Sequence, residues 1–87
     1  MDAIYKYKLN NNKHSLIEMP VGAEIIKCDV QNEIITLWAI VDKDNIEETE
    51  TRYFHIIATG EYFDKSRLQH IETVFIGPYV WHVFEEY

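Results

Sequence analysis

The chain has 87 residues, 47% of them hydrophobic, and a formal net charge of −7. This length suits one domain over residues 1–87, and the apolar fraction is too high for a disordered acidic segment. Because the 15 acidic residues outnumber the 8 basic ones, the composition argues against a protein that binds the phosphates of DNA or RNA. We expect no sequence-specific nucleic-acid binding.

The compartment is predicted from the single cysteine and from the apolar runs. Cys28 has no intrachain partner for a disulfide, which favours a reducing environment. The residues after Met1 lack the basic and then apolar regions of a signal peptide, and no apolar run reaches the roughly 18 residues of a transmembrane helix. We expect a cytoplasmic protein with no membrane contact.

Alternating polar and apolar residues predict the first strand, Ile4–Leu9. Tyr5, Tyr7 and Leu9 fall on one face of it, and Lys6 and Lys8 on the other. The polar run of residues 10–13 then predicts a turn, since asparagine tolerates a positive φ.

Two further strands are predicted before the middle of the chain. Ser15–Met19 ends at Pro20, which has no N–H for a sheet. Ala23–Val30 is expected to place Ile26, Cys28 and Val30 on one face, and Gln31-Asn32 predicts a tight hairpin turn.

The most apolar segments are Glu33–Asp42 and Thr51–Ala58. Each is apolar on both faces, which predicts strands covered on both sides, with Glu33–Asp42 as the central strand. Between them, residues 42–50 are interpreted as an acidic loop. Its first residues resemble a calcium loop, but the glycine and glutamate that an EF-hand requires are missing.

The last part of the chain predicts a connector and two strands. Glu61–His70 is expected to form a connector with one helical turn over Lys65–Leu68. Strands are predicted to follow at Ile71–Ile76 and Tyr79–Phe84. About six or seven short strands at this spacing predict an all-β antiparallel sandwich or small barrel. Because so small a domain has little material to cover two apolar strand faces, we also expect a homo-oligomer.

Catalytic and metal motifs are not found in the sequence. No two of the four histidines have the spacing of a local zinc site, so each is interpreted as a sheet residue; a site built from distant strands would use His55 and His82. Cys28 lies on an apolar face and has no nucleophile motif around it. We therefore predict no enzyme, no metal site and no cofactor.

Binding is the remaining class of function. Aromatic residues anchor interfaces and stack on bases, although core packing is the competing interpretation, and it is favoured for Trp38 and Phe54. A pocket for a small nucleotide would combine aromatic rings with basic side chains that meet the phosphate. The candidate residues are Tyr5, Lys6, Tyr7, Lys8, Arg52, Trp81 and His82.

The acidic loop offers an alternative, because an acidic surface attracts basic partner surfaces. Ordinary solubility explains the same charges. The candidate protein-binding residues are Asp42, Asp44, Glu47, Glu48 and Glu50.

The order of several short pieces is also informative, above all Met-Pro-Val-Gly-Ala at residues 19–23 and Trp-His-Val-Phe at residues 81–84. Together they resemble a family of short, uncharacterised proteins encoded by bacteriophages and prophages, over nearly the whole chain. The resemblance implies a phage origin and a small β fold, and it carries no catalytic residues. The acidic loop departs from this family resemblance in its length and charge.

Compact phage proteins that are neither structural nor enzymatic often act against host defence. The leading hypothesis is therefore a non-enzymatic accessory protein that sequesters a small nucleotide immune signal at a subunit interface. The alternatives are an acidic inhibitor of a host defence protein, like an anti-CRISPR or a nucleic-acid mimic, and a minor virion component.

Overall fold

The computed structural model describes residues 1–87 and consists almost entirely of antiparallel strands. The strands are β1 (Asp2–Lys8), β2 (His14–Pro20), β3 (Glu24–Gln31), β4 (Ile34–Asp42), β5 (Thr49–Ala58), β6 (Leu68–Ile76) and β7 (Tyr79–Glu86). A single 3₁₀ turn, Lys43–Asn45, joins β4 to β5. The all-β prediction is confirmed. The structure contains no helix that could cross a membrane.

The seven strands form two sheets, which decides between the predicted sandwich and barrel. Sheet A has the strand order β1-β4-β3, and sheet B has the order β2-β5-β7-β6. All pairs are antiparallel, and the sheets pack face to face as a sandwich around one apolar cluster. The prediction that the most apolar segment is a central strand is confirmed, since β4 lies between β1 and β3.

The core lies between the two sheets. Every second residue of β4 points inward, from Ile35 to Val41, and each of these four side chains is at most 1% exposed. Phe54 and Ile56 of β5 face them from sheet B together with Val83 of β7, and Phe54 is buried as predicted. The prediction that Trp38 packs in the core was wrong. Its side chain is half-buried on the outer face of sheet A, because the inward face of β4 carries the odd-numbered residues.

A β-bulge in β3 changes the predicted faces of that strand. The register with β4 shifts between Ile25 and Lys27, so one extra residue is inserted there. Ile25 packs against the core with Cys28, whereas Ile26 lies outside and is 47% exposed. The prediction that Ile26 shares a face with Cys28 was wrong, because a bulge reverses the alternation.

Turn geometry corrects two further predictions. The β3–β4 hairpin turns at Asn32 and Glu33, both with positive φ, rather than at Gln31-Asn32. No helical turn forms over Lys65–Leu68, because Arg67 has a φ of 64° in the left-handed region and β6 already begins at Leu68. The turn predicted at residues 10–13 is present, with positive φ at Asn10 and Asn11.

Candidate binding cleft

The sandwich is open at one end, where its two sheets enclose an apolar cleft of about 480 Å³. Ile35 of β4 and Ile56 of β5 form its buried floor, and Trp81 and Tyr79 of β7 stand at its mouth. The two aromatic rings are tilted by 36° with centroids 6.3 Å apart. The remaining lining residues are Asn11, Lys13, Ala58, Glu61 and Ile76.

The polar groups of the cleft are already engaged within the protein. Lys13 forms an ion pair with Glu61, whose carboxylate also accepts a hydrogen bond from the Ala58 N–H. These contacts lower the pKa of Glu61, the Lys13 hydrogen bond most of all. The Asn11 side chain donates to the Glu33 carbonyl and accepts from the Ile35 N–H. The cleft therefore suits a flat, weakly charged ring better than a highly charged group.

Strand β1 separates the predicted aromatic residues from the predicted basic ones. Tyr5 and Tyr7 point inward and pack against the core, and burial raises the pKa of Tyr7. Lys6 and Lys8 lie on the opposite, exposed face of sheet A. Side chains on opposite faces of one strand cannot hold the same small ligand.

Arg52 forms a structural contact with Glu85. Its Nε and Nη2 donate to the two Glu85 carboxylate oxygens at 2.6 and 2.8 Å, and its Nη1 donates to the Ala23 carbonyl. The Glu85 hydrogen bond is the main reason that the pKa of Arg52 is raised. This bidentate pair occupies the guanidinium donors that phosphate recognition requires.

Trp81 and His82 are neighbours in β7 and point to opposite faces of sheet B. Trp81 reaches the cleft, whereas the His82 imidazole on the outer face contacts the hydroxyls of Thr59 and Thr73. Of the seven residues predicted for a nucleotide pocket, the structure places Trp81 alone in the cleft. Tyr79, the other aromatic residue of the cleft, is not among these seven, although its position two residues before Trp81 on one strand gives both the same face.

The acidic loop lies at the other end of β4 and β5 from the cleft. Asp42 caps the 3₁₀ turn by accepting from the Asp44 N–H, Asp44 pairs with the Met1 ammonium at 3.0 Å, and Glu50 accepts from the Gly22 N–H. The predicted loop of residues 42–50 is shorter than expected, because Asp42 ends β4 and β5 already begins at Thr49.

The lone cysteine is buried in the core. Cys28 is 6% exposed, and this burial raises the pKa of its thiol to about 12. A thiol that stays protonated at neutral pH is a poor nucleophile.

The fold and the cleft define a small antiparallel β-sandwich with an apolar cavity open at one end. The chain belongs to the family described as a domain of unknown function (DUF7352), whose model matches residues 1–87. The expected resemblance to a family of uncharacterised proteins is thus confirmed over the whole chain, and its phage origin stays a prediction. No curated protein and no solved structure matches the chain.

Proposed function

We propose that this protein is a non-enzymatic binding protein whose cleft holds the planar base of a small nucleotide. The observation that carries the proposal is the concave apolar surface at the sandwich mouth, where Trp81 and Tyr79 stand over a floor of isoleucine side chains. Aromatic rings stack on nucleobases with an energy of about 1–3 kcal/mol per base.

The charges of the cleft indicate which part of a nucleotide contributes most to the binding affinity. The one lysine at its rim is paired with Glu61, and Lys6, Lys8 and Arg52 are directed elsewhere. The affinity is therefore expected to follow the base more than the number of phosphates. A nucleoside and its monophosphate should differ less than two nucleosides with different bases.

The experiment is a titration of tryptophan fluorescence and of heat with nucleosides, cyclic dinucleotides and ADP-ribose compounds. Trp81→Leu should abolish binding, and Tyr79→Ala should weaken it at least tenfold. Trp38→Leu is the matched control, because Trp38 lies on the outer face of sheet A and away from the cleft. Absence of binding across the panel, or equal losses in the Trp81 and Trp38 variants, would refute the proposal.

The biological setting that we propose is the sequestration of a nucleotide immune signal in the host cytoplasm by a phage-encoded protein. The sequence pieces at residues 19–23 and 81–84 support this setting. Expression in bacteria that carry one defined defence system at a time tests it. Only systems that signal through a nucleotide should fail, and Trp81→Leu should restore them.

A second candidate is an inhibitor that presents the acidic loop to a basic groove of a host protein. It is favoured by the contacts of the loop, where Asp42 caps the 3₁₀ turn and Asp44 pairs with the Met1 ammonium. Five of the 15 acidic residues lie between Asp42 and Glu50. Replacing Glu47 and Glu48 by glutamine leaves the Asp42 cap and the contacts of Asp44 and Glu50 in place. Inhibition that survives this change would exclude the side chains of Glu47 and Glu48 as the binding surface. Detection in purified particles would instead indicate a virion component.

A further inference from the structure

All four histidines of the chain lie on the outer face of sheet B, and two of them face each other. His14 of β2 and His55 of β5 are directly opposed in the strand register. Their Nδ1 atoms are 2.8 Å apart, and the rings meet edge to face. This arrangement lies outside the proposed nucleotide cleft, with the Lys13–Glu61 ion pair between the two.

We propose that His14 and His55 together bind one divalent transition-metal ion through their Nδ1 atoms. Imidazole nitrogen is a preferred ligand of Zn²⁺, Ni²⁺ and Cu²⁺. Two nitrogens at about 2.0–2.1 Å from one ion are about 2.9 Å apart at a right angle and about 3.4 Å apart at a tetrahedral angle. The observed separation therefore matches adjacent positions around Cu²⁺ or Ni²⁺, and Zn²⁺ requires the rings to move apart slightly.

Glu86 supplies the outer partner that metal-binding histidines usually have. Its carboxylate lies 3.2 Å from Nε2 of His55. A proton on that Nε2 satisfies the carboxylate and leaves the Nδ1 lone pair of His55 free for the ion. In the metal-free protein, Nδ1 of His14 then donates its proton to Nδ1 of His55. Metal binding moves the His14 proton to Nε2, so no net proton release is needed from the neutral pair.

The surroundings of the pair attract cations. A cavity of about 370 Å³ is lined by both histidines and by three carboxylates, with one lysine among them. The acidic residues are Glu61, Asp64 and Glu86. No third histidine, cysteine or carboxylate completes a cluster of metal ligands. Water therefore fills the remaining positions, and the ion is expected to exchange readily.

The other two histidines provide matched controls on the same face. His70 contacts the Thr73 hydroxyl, and His82 lies between the hydroxyls of Thr59 and Thr73. Neither has a second imidazole nitrogen at hydrogen-bond distance. Replacing either by glutamine should leave metal affinity within about twofold of the wild type.

The test is calorimetry of chelator-treated protein with ZnCl₂, NiCl₂ and CuCl₂ at pH 7.5, with MgCl₂ as the negative control. We expect one ion per chain and an affinity at least tenfold lower in His14→Gln and in His55→Gln. Glu86→Gln should lower affinity by about tenfold, the lower end of the effect of losing such an outer partner.

A second readout separates coordination from a structural effect of the substitutions. In ¹⁵N NMR of the full chain, Nδ1 of both His14 and His55 should shift on addition of Zn²⁺, while His70 and His82 should not. Three results would overturn the proposal: no binding of any of the three ions, equal affinity in wild type and in the His14→Gln/His55→Gln variant, or one ion shared by two chains.

Discussion

At the scale of single residues, Cys28 shows how burial changes chemistry. Its thiol lies in the core near Leu37, its partner in the β3–β4 register, and its pKa is raised to about 12 by desolvation, with smaller effects of Glu72 and Asp29. The unfolded chain has an ordinary thiol that ionises at a much lower pH. At this thiol, the two states therefore bind different numbers of protons only in alkaline solution.

We expect the folding stability to decrease as pH rises from about 9 towards 12. The folded-state pKa is the raised one, so this stabilisation is complete below the unfolded pKa and is lost above it. The slope is at most about 1.4 kcal/mol per pH unit. Urea unfolding at pH 8 to 11 measures it, and the Cys28→Ala variant should show a shallower decline. Parallel curves for the two proteins would contradict the assignment.

A second prediction concerns the ion pair of Arg52 and Glu85, whose side chains are only 17% and 16% exposed. Arg52→Met leaves the Glu85 carboxylate without its partner and should lower the free energy of unfolding by about 2 kcal/mol. The control is Lys27→Met, because the Lys27–Asp29 pair is 62% and 55% exposed and should contribute less than about 1 kcal/mol. Equal losses in chemical denaturation would show that the buried pair has no special role.

At the scale of elements, the β3–β4 hairpin contains a local conflict between sequence and backbone. Its two turn residues, Asn32 and Glu33, have φ values of 52° and 65°. Two-residue hairpin turns of this kind favour glycine in the second position, because a side chain there meets the backbone. Asparagine tolerates the conformation, whereas glutamate is strained by it.

Glu33→Gly should therefore stabilise the protein by about 0.5–1 kcal/mol, since it relieves this strain at the cost of a more flexible unfolded chain. The hydrogen bond from Asn11 is kept, because it goes to the Glu33 backbone carbonyl. Thermal unfolding measures the effect. Glu33→Ala keeps the Cβ atom and should give no gain, so a similar gain from both substitutions would contradict the explanation.

The two strands that are apolar on both faces are covered differently. The outer face of β5 is covered by the chain itself, because the connector before β6 crosses it and Phe63 packs on Phe84 with ring centroids 5.3 Å apart. Ile57 is 8% exposed as a result. The outer face of β4 is less completely covered: Thr36 is buried, but Trp38 and Ile40 are only half-buried. Ile4 beside it is 60% exposed, and Ile26 is 47% exposed.

At the scale of the whole molecule, this partly exposed apolar outer face of sheet A supports the proposal that two copies associate. Trp38 and Ile40 lie between the exposed isoleucines, and charged side chains of both signs surround them. The occupant that we propose is a second copy of this chain. An apolar centre with a mixed polar rim is typical of interfaces between proteins.

Light scattering should show a closed oligomer at micromolar concentration, and Ile4→Glu combined with Ile26→Glu should make it a monomer. The control is Leu16→Glu on the outer face of sheet B, where Leu16 is 67% exposed. A monomeric wild type, or dissociation by the control alone, would contradict this interface.

The sequence predicted the fold well where the pattern is local. The alternation along β4 predicted both faces of that strand, and the asparagines after β1 predicted the turn that they form. The candidate site was predicted less well. Trp81 lies in the cleft, but the predicted pocket also combines Tyr5 with Lys6, and adjacent strand residues point to opposite faces.

The sequence by itself determined the all-β class, the central strand and the burial of Cys28, because period-two patterning and composition are properties of the strands themselves. Only the tertiary structure decided the bulge that turns Ile26 outward, the pairing of Arg52 with Glu85 and the contact of His14 with His55. Each of these depends on which strands become neighbours and in which register. That is settled by the packing of the whole core and not by any one segment.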